Sequence, residues 1–107
     1  MYAAGDVTNR DTFVYMAAHG AKIAVHNALN GDESTYDNRA MPWVVFTDPQ
    51  VAGVGLTEAT GRAAGHQVKT STVNLDQVPR ALAARDMRGL IKLVVDARTD
   101  VLLGGQI

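Results

Sequence analysis

Pro42 divides the chain into two hydrophobic patterns that cannot belong to one element. Before it, Phe13, Met16, Ala17, Gly20, Ala24 and Ala28 recur at spacings of three and four. That spacing places them on one stripe of an amphipathic helix expected over Thr12 to Leu29. After it come short β-branched and aromatic runs separated by Gly, Pro, Asn and Asp, which is how strands and turns read. The proline itself biases Met41 toward extended geometry. The fold class expected is therefore α+β: a long N-terminal helix, then a small antiparallel sheet with a short helix.

Within the first pattern, Ala3, Ala4 and Gly5 are small enough to let another group approach the backbone. Met1 to Ala4 reads as a short strand without a partner in the chain, expected frayed or borrowed by another chain. Asp6 follows as a short acceptor at the strand's carboxyl end, where open α/β sheets bind ligands. Thr8 to Thr12 is a polar loop, and Asn9, Asp11 or Thr12 could cap the helix. The helix N-terminus carries bare N–H groups and partial positive charge. An acceptor for a hydroxyl, followed by a helix N-terminus for an electron-rich group, is what a flavin tail needs. The stripe is mostly Ala and Gly, and Gly20 inside a helix costs about 1 kcal/mol relative to Ala. Close packing offsets such a cost, and helix-on-sheet packing within this chain is one reading. His19, Lys22 and His26 fall on another face, expected to be solvated. Asn30-Gly31 is a helix stop, with Gly31 available for a left-handed cap. The polar stretch from Asp32 to Ala40 reads as a linker.

In the second pattern, Trp43 to Thr47 and Val51 to Leu56 read as strands joined by a turn at Thr47-Asp48-Pro49-Gln50. Thr47 and Asp48 are candidate catalytic groups, but a turn bonding its own backbone explains them better. Gly53 and Gly55 allow close approach or a bulge. Thr57 is an N-cap, with Glu58 in the first turn of a short helix ending at Gly65. His66 to Asp76 is a long strand without clean alternation, so a bulge is expected near Thr70 to Thr72. Gln77 to Arg85 is a loop with a helical turn around Ala81 to Ala84. Leu90 to Asp96 and Val101 to Ile107 form an antiparallel hairpin. Ile91, Leu93 and Val95 face one way on it, Lys92 and Asp96 the other. The last strand ends without cover. An apolar face left open there favours self-association.

Tyr2-Ala-Ala-Gly-Asp6, Phe13-Val-Tyr15 and the small-residue helix resemble the second flavin-contacting motif of the pyridine nucleotide-disulfide oxidoreductases. Pro42 to Glu58 resembles the opening of that family's interface domain. Phe46-Thr-Asp-Pro-Gln-Val-Ala52 and Leu75-Asp-Gln-Val-Pro-Arg-Ala-Leu-Ala83 are most similar to its mercuric reductase branch. The resemblance covers nearly the whole chain in order. It implies an interior piece of a longer enzyme: residues 1–31 the tail of the FAD-binding domain, 32–42 a linker, 43–107 a partial, truncated dimerisation domain. It implies FAD as cofactor and NADPH as co-substrate in the complete enzyme, which reduces Hg(II) to Hg(0). Gly5 and Asp6 would lie at the ribityl chain. The backbone N–H groups of Phe13, Val14 and Tyr15 would meet the flavin's O2 edge. Arg80 would sit near a subunit interface, where an ion pair across chains is one reading and a free exposed cation the other. A stand-alone interaction module derived from the family is the alternative function.

The sequence contains no cysteine, so the thiolate that serves as nucleophile and soft-metal ligand in this family is missing. No Gly-x-Gly-x-x-Gly is present, hence no dinucleotide fingerprint. No catalytic or metal-ligating residue is assigned. With 10 basic and 11 acidic residues, the chain lacks the basic footprint of a nucleic-acid binder. No apolar run approaches the ~20 residues needed to cross a bilayer, and no secretory leader is visible. These features are compatible with the cytoplasm.

Overall fold

The computed structural model describes residues 1–31 and 33–107. They fall into two compact units, Met1–Met41 and Pro42–Ile107.

The first unit is built on α1, Val14–Asn30. Met1 to Ala4 adopts no regular structure instead of the short strand expected there. Asp6–Thr8 is a 3₁₀ turn. The helix starts two residues later than the spacing predicts, and no side chain among the described residues caps it. Neither Asn9, Asp11 nor Thr12 takes the capping role. Met16 is the buried anchor of the stripe, whereas Ala28 is exposed. Gly31 ends the helix at φ 94°, ψ 166°, a positive φ that suits glycine but not the left-handed helical cap expected there.

The polar stretch expected as a linker does not run free. Asp32 lies outside the described residues, but 33–41 folds back along α1. Asn27 holds Ser34 by two bonds, its Nδ2 donating to the Ser34 carbonyl at 2.8 Å and its Oδ1 accepting from the Ser34 N–H at 2.9 Å. Tyr36 then lies on the helix at Gly20, where an added Cβ would sit 3.5 Å from the Tyr36 ring. The small-residue stripe thus packs within this unit, against an aromatic strap. His19 is not solvated either: its ring lies 5.4 Å from that of Tyr36, and its Nε2 is buried without a hydrogen-bond partner among the described residues.

The second unit is a five-stranded antiparallel sheet, ordered β1-β2-β5-β4-β3. The strands are β1 Pro42–Val45, β2 Val51–Gly55, β3 Val68–Asn74, β4 Leu90–Asp96 and β5 Leu102–Gln106. Two short helices join them, α2 Glu58–Ala63 and α3 Pro79–Ala84. Thr57 caps α2 as expected: its Oγ1 accepts from the Thr60 N–H at 3.2 Å, and Thr60 Oγ1 accepts from the Thr57 N–H at 2.8 Å. This reciprocal box satisfies two donors that a helix end leaves bare. Pro79 opens α3 at a position where its missing N–H costs nothing.

The core lies on the face covered by α2. Val94 is fully buried, and Gly61 of α2 comes so close that an added Cβ would lie 3.0 Å from Val68 Cγ2 and 4.0 Å from Val94 Cγ1. A side chain at Gly61 would press on the Val68 side chain beneath it. Alternation along β4 runs as the pattern predicts, and Lys92, Val94 and Asp96 occupy the covered side. Ile91, Leu93 and Val95 face the other side, where Leu93 is 41% exposed and its neighbours Leu102 and Val73 are 60% and 40% exposed.

The bulge is not at Thr70 to Thr72. There β3 pairs with β4 without interruption, from Val68 opposite Asp96 to Asn74 opposite Leu90. The irregularity falls between β4 and β5 instead: Val94 pairs with Gly104 and Val95 with Leu102, leaving Leu103 as the extra residue. The extra residue turns Leu103 toward α2, its Cδ1 4.0 Å from the Cβ position of Gly61.

Candidate functional site

The first unit presents two polar features on adjoining segments. Gly5 has φ 79° and ψ −161°, a conformation that L side chains rarely adopt. Thr8 closes the turn, its Oγ1 and N–H both reaching the Gly5 carbonyl, at 2.8 and 2.9 Å. The Asn9 N–H donates to the Asp6 carbonyl at 2.9 Å. The Asp6 carboxylate itself is exposed and has no partner among the described residues. A free carboxylate beside a glycine with no Cβ suits a hydroxyl-bearing ligand.

The second feature is the start of α1. The Phe13 N–H donates to the Asp11 carbonyl at 2.7 Å, and the Phe13 carbonyl accepts from Met16 and Ala17, both at 3.0 Å. Of the three N–H groups expected to be available, that of Phe13 is therefore occupied. Those of Val14 and Tyr15 have no backbone or side-chain acceptor among the described residues. The Phe13 and Tyr15 rings stack with centroids 5.5 Å apart and 13° between planes. Bare N–H groups at the positive end of a 17-residue helix suit an electron-rich oxygen.

The carboxylate nearest in sequence to this helix start is tied elsewhere. Asp11 Oδ2 accepts from Tyr36 Oη at 3.1 Å and from Asn38 Nδ2 at 2.7 Å. Asp11 holds φ 44°, unusual for a residue with a side chain. Partial burial and the bond to Asp11 push the Tyr36 hydroxyl above its ordinary pKa. Sequence reasoning missed Tyr36 and Asn38. The one available signal is an aromatic residue inside an otherwise polar stretch.

A cavity of about 270 Å³ lies in the same unit, lined by Ala3, Ala4, Gly5, Met16, Ala24 and Tyr36 among others. Of the residues expected at the flavin, Gly5 alone lies on its wall. Asp6, Phe13, Val14 and Tyr15 lie outside it.

In the second unit the candidate groups are engaged in structure. Thr47 Oγ1 donates to the Pro49 carbonyl at 2.7 Å, as expected of a turn that bonds its own backbone. The Asp48 carboxylate does not: it pairs with Arg88 at 2.6 Å, and Arg88 also holds Asp86 at 2.8 Å. Arg88 holds Asp86 down to about 2. Arg80 is exposed and forms no ion pair among the described residues. Glu58 accepts from Lys92 at 2.5 Å and from Arg62 at 2.9 Å, tying α2 to β4. Those two cations pull the Glu58 carboxyl down to about 2. Asp96, buried at the end of β4, accepts from His66 Nδ1 at 2.7 Å and from the Arg98 N–H at 2.8 Å, and these bonds lower its pKa. Among the described residues, no group of three or more His, Asp or Glu side chains could hold a metal ion. No helix among them is long and apolar enough to cross a membrane.

A five-stranded antiparallel sheet with one face open, preceded by a long helix with a bare N-terminus, defines the class. Residues 41–107 match the family described as pyridine nucleotide-disulphide oxidoreductase, dimerisation domain, and the chain belongs to that family. The whole chain is 48% identical to mercuric reductases of Streptomyces lividans and Staphylococcus aureus, spanning 23% and 20% of their lengths. It also superimposes on the flavoprotein disulfide reductase RclA of Escherichia coli, with a TM-score of 0.83 and 34% identity over 98% of this chain and 24% of that one. LpdA of Mycobacterium tuberculosis gives a TM-score of 0.83 at 30% identity, covering 98% of this chain and 23% of LpdA. The chain thus spans about a fifth to a quarter of the proteins it matches.

Proposed function

We propose that these residues serve a mercuric reductase-like flavoenzyme in two ways, as part of its FAD contact and as the scaffold of its subunit interface. Likeness to mercuric reductases over all 107 residues carries this reading. FAD, when bound, supplies the electron-transfer chemistry, with NADPH as reductant and Hg(II) as the species reduced to Hg(0). The residues present fit that cofactor: Asp6 has a free carboxylate for a ribityl hydroxyl, and Val14 and Tyr15 have bare N–H groups for the O2 edge. Negative charge developing on that edge strengthens the N–H contact. Gly5 keeps the backbone open beside Asp6. Phe13, whose N–H is taken by Asp11, contributes the ring stacked on Tyr15.

The interface half rests on the open side of the sheet, where Leu93, Leu102 and Val73 stand exposed. Burying apolar surface of that kind drives homo-oligomer formation. Sedimentation equilibrium of the chain from micromolar to millimolar concentration tests it. Self-association is expected, weakened by Leu93→Lys. A monomer at every concentration rules the interface role out. The same exposed face favours a second reading, a stand-alone interaction module without turnover. Capture of a full-length mercuric reductase by the tagged chain distinguishes that module from a segment acting only within its own enzyme.

A further inference from the structure

The spacing of apolar residues calls for a helix beginning at Thr12, with Asp11 available as its cap, yet α1 begins at Val14. The Asp11 carboxylate, the group able to cap the earlier start, is bound by Tyr36 Oη and Asn38 Nδ2. Those donors belong to the strap 33–41, which is anchored on α1 by the Asn27–Ser34 pair and by the Tyr36 ring at Gly20. With its side chain held there, Asp11 sits at φ 44°, outside the range of an N-cap residue.

We propose that Tyr36 and Asn38 are positioning residues that form a latch: they hold α1 two residues short of the start its sequence favours, and so keep the Val14 and Tyr15 N–H groups bare. Released, Asp11 becomes the N-cap and Thr12 and Phe13 join the helix. The Tyr15 N–H then reaches the Asp11 carbonyl, four residues back, and the Val14 N–H reaches the Asp11 carboxylate at the third helical position. Both groups that are free in the latched form are occupied in the released one. The inference rests on the flavin reading only for what those N–H groups serve. The latch itself concerns this chain alone.

The test is amide hydrogen exchange and Cα chemical shifts, read by NMR on the 107-residue chain and on Tyr36→Phe/Asn38→Ala, without flavin. Expected are helical shifts at Thr12 and Phe13, with exchange at Val14 and Tyr15 slowed about fivefold, the size of one cap interaction. Adding Asp11→Ala to the double variant is expected to return exchange at Val14 to the wild-type rate. A merely structural role for Tyr36 and Asn38 predicts the opposite sign, faster exchange along α1 once the strap loosens. Unchanged or faster exchange at Val14 and Tyr15 overturns the latch. Tyr36→Phe alone keeps the ring on Gly20 and is expected to move the same signals the same way by a smaller amount. No movement there overturns the latch even where the double variant does not fold. Slowed exchange together with FAD affinity equal to that of the unmodified chain would leave the latch standing and remove the flavin reading.

Discussion

Gly104 lies at the centre of the sheet, buried, with Val94 of β4 on one side and Gly55 of β2 on the other. A Cβ built there falls 2.7 Å from the Leu56 N and 2.8 Å from the Val54 carbonyl oxygen. Both are main-chain atoms and cannot rotate aside, so Gly104→Ala must push β2 away from β5. Overpacking of a core costs about 1–3 kcal/mol, and a clash with backbone on an inner strand belongs at the upper end. With a urea dependence of roughly 1.5 kcal/mol per molar, about 3 kcal/mol lowers the unfolding midpoint by about 2 M. The single tryptophan is a ready probe, since Trp43 of β1 packs over Gly53 on the neighbouring β2, the strand that Gly104→Ala displaces. Gly105→Ala is the internal control. There a Cβ meets only Leu93 Cδ2 at 3.5 Å and the Lys92 carbonyl at 3.8 Å, both ordinary contacts. Its midpoint is expected within about 0.3 M of wild type, since a substitution that creates no clash usually changes stability by no more than about 0.5 kcal/mol. Equal midpoints for the two variants would refute the close-approach argument.

Gly20→Ala should stabilise the chain by about 0.5–1 kcal/mol, since the Cβ reaches the Tyr36 ring at only 3.5 Å while helix propensity improves. Thermal unfolding followed by helical ellipticity checks it, and a lower midpoint would mean Tyr36 packs tighter than the structure shows. Glu58, held at about 2 against an ordinary 4.5, contributes stability that is present above pH 4.5 and lost as pH falls through about 2. Glu58→Gln should therefore flatten the acid limb of the stability profile between those values, and an unchanged slope would show that the pairs with Lys92 and Arg62 do not persist in solution.

The parts of the fold that were legible in the sequence are those decided by neighbours in the chain. Thr57 caps α2 because a hydroxyl, its backbone and Thr60 lie within one turn. The hairpin of β4 and β5 follows from an alternating run, a polar turn and a second apolar run. The same alternation could not say which side of β4 is buried, because Ile91, Leu93 and Val95 look more like a core than Lys92, Val94 and Asp96 do. The covered side is chosen by α2, whose Gly61 fits against Val94, and by Glu58 and His66, which satisfy Lys92 and Asp96. The bulge was misplaced for a related reason. Thr70 to Thr72 break the hydrophobic pattern because β3 is a largely exposed edge strand, while the true irregularity at Leu103 hides in a run of apolar and glycine residues. At the candidate site, Asp6 and the helix start could be read from the chain in order. Bonds from Tyr36 and Asn38 to Asp11, 25 and 27 residues apart in sequence, could not.

The proposed role makes the chain a scaffold with flavin contacts and, as it has no cysteine, with no thiol of its own. The most direct measurement is NADPH oxidation by the purified 107-residue chain with FAD added, with and without Hg(II). The account predicts a rate equal to that of the same mixture lacking protein. Mercury-dependent turnover that rises with the concentration of the chain would contradict it.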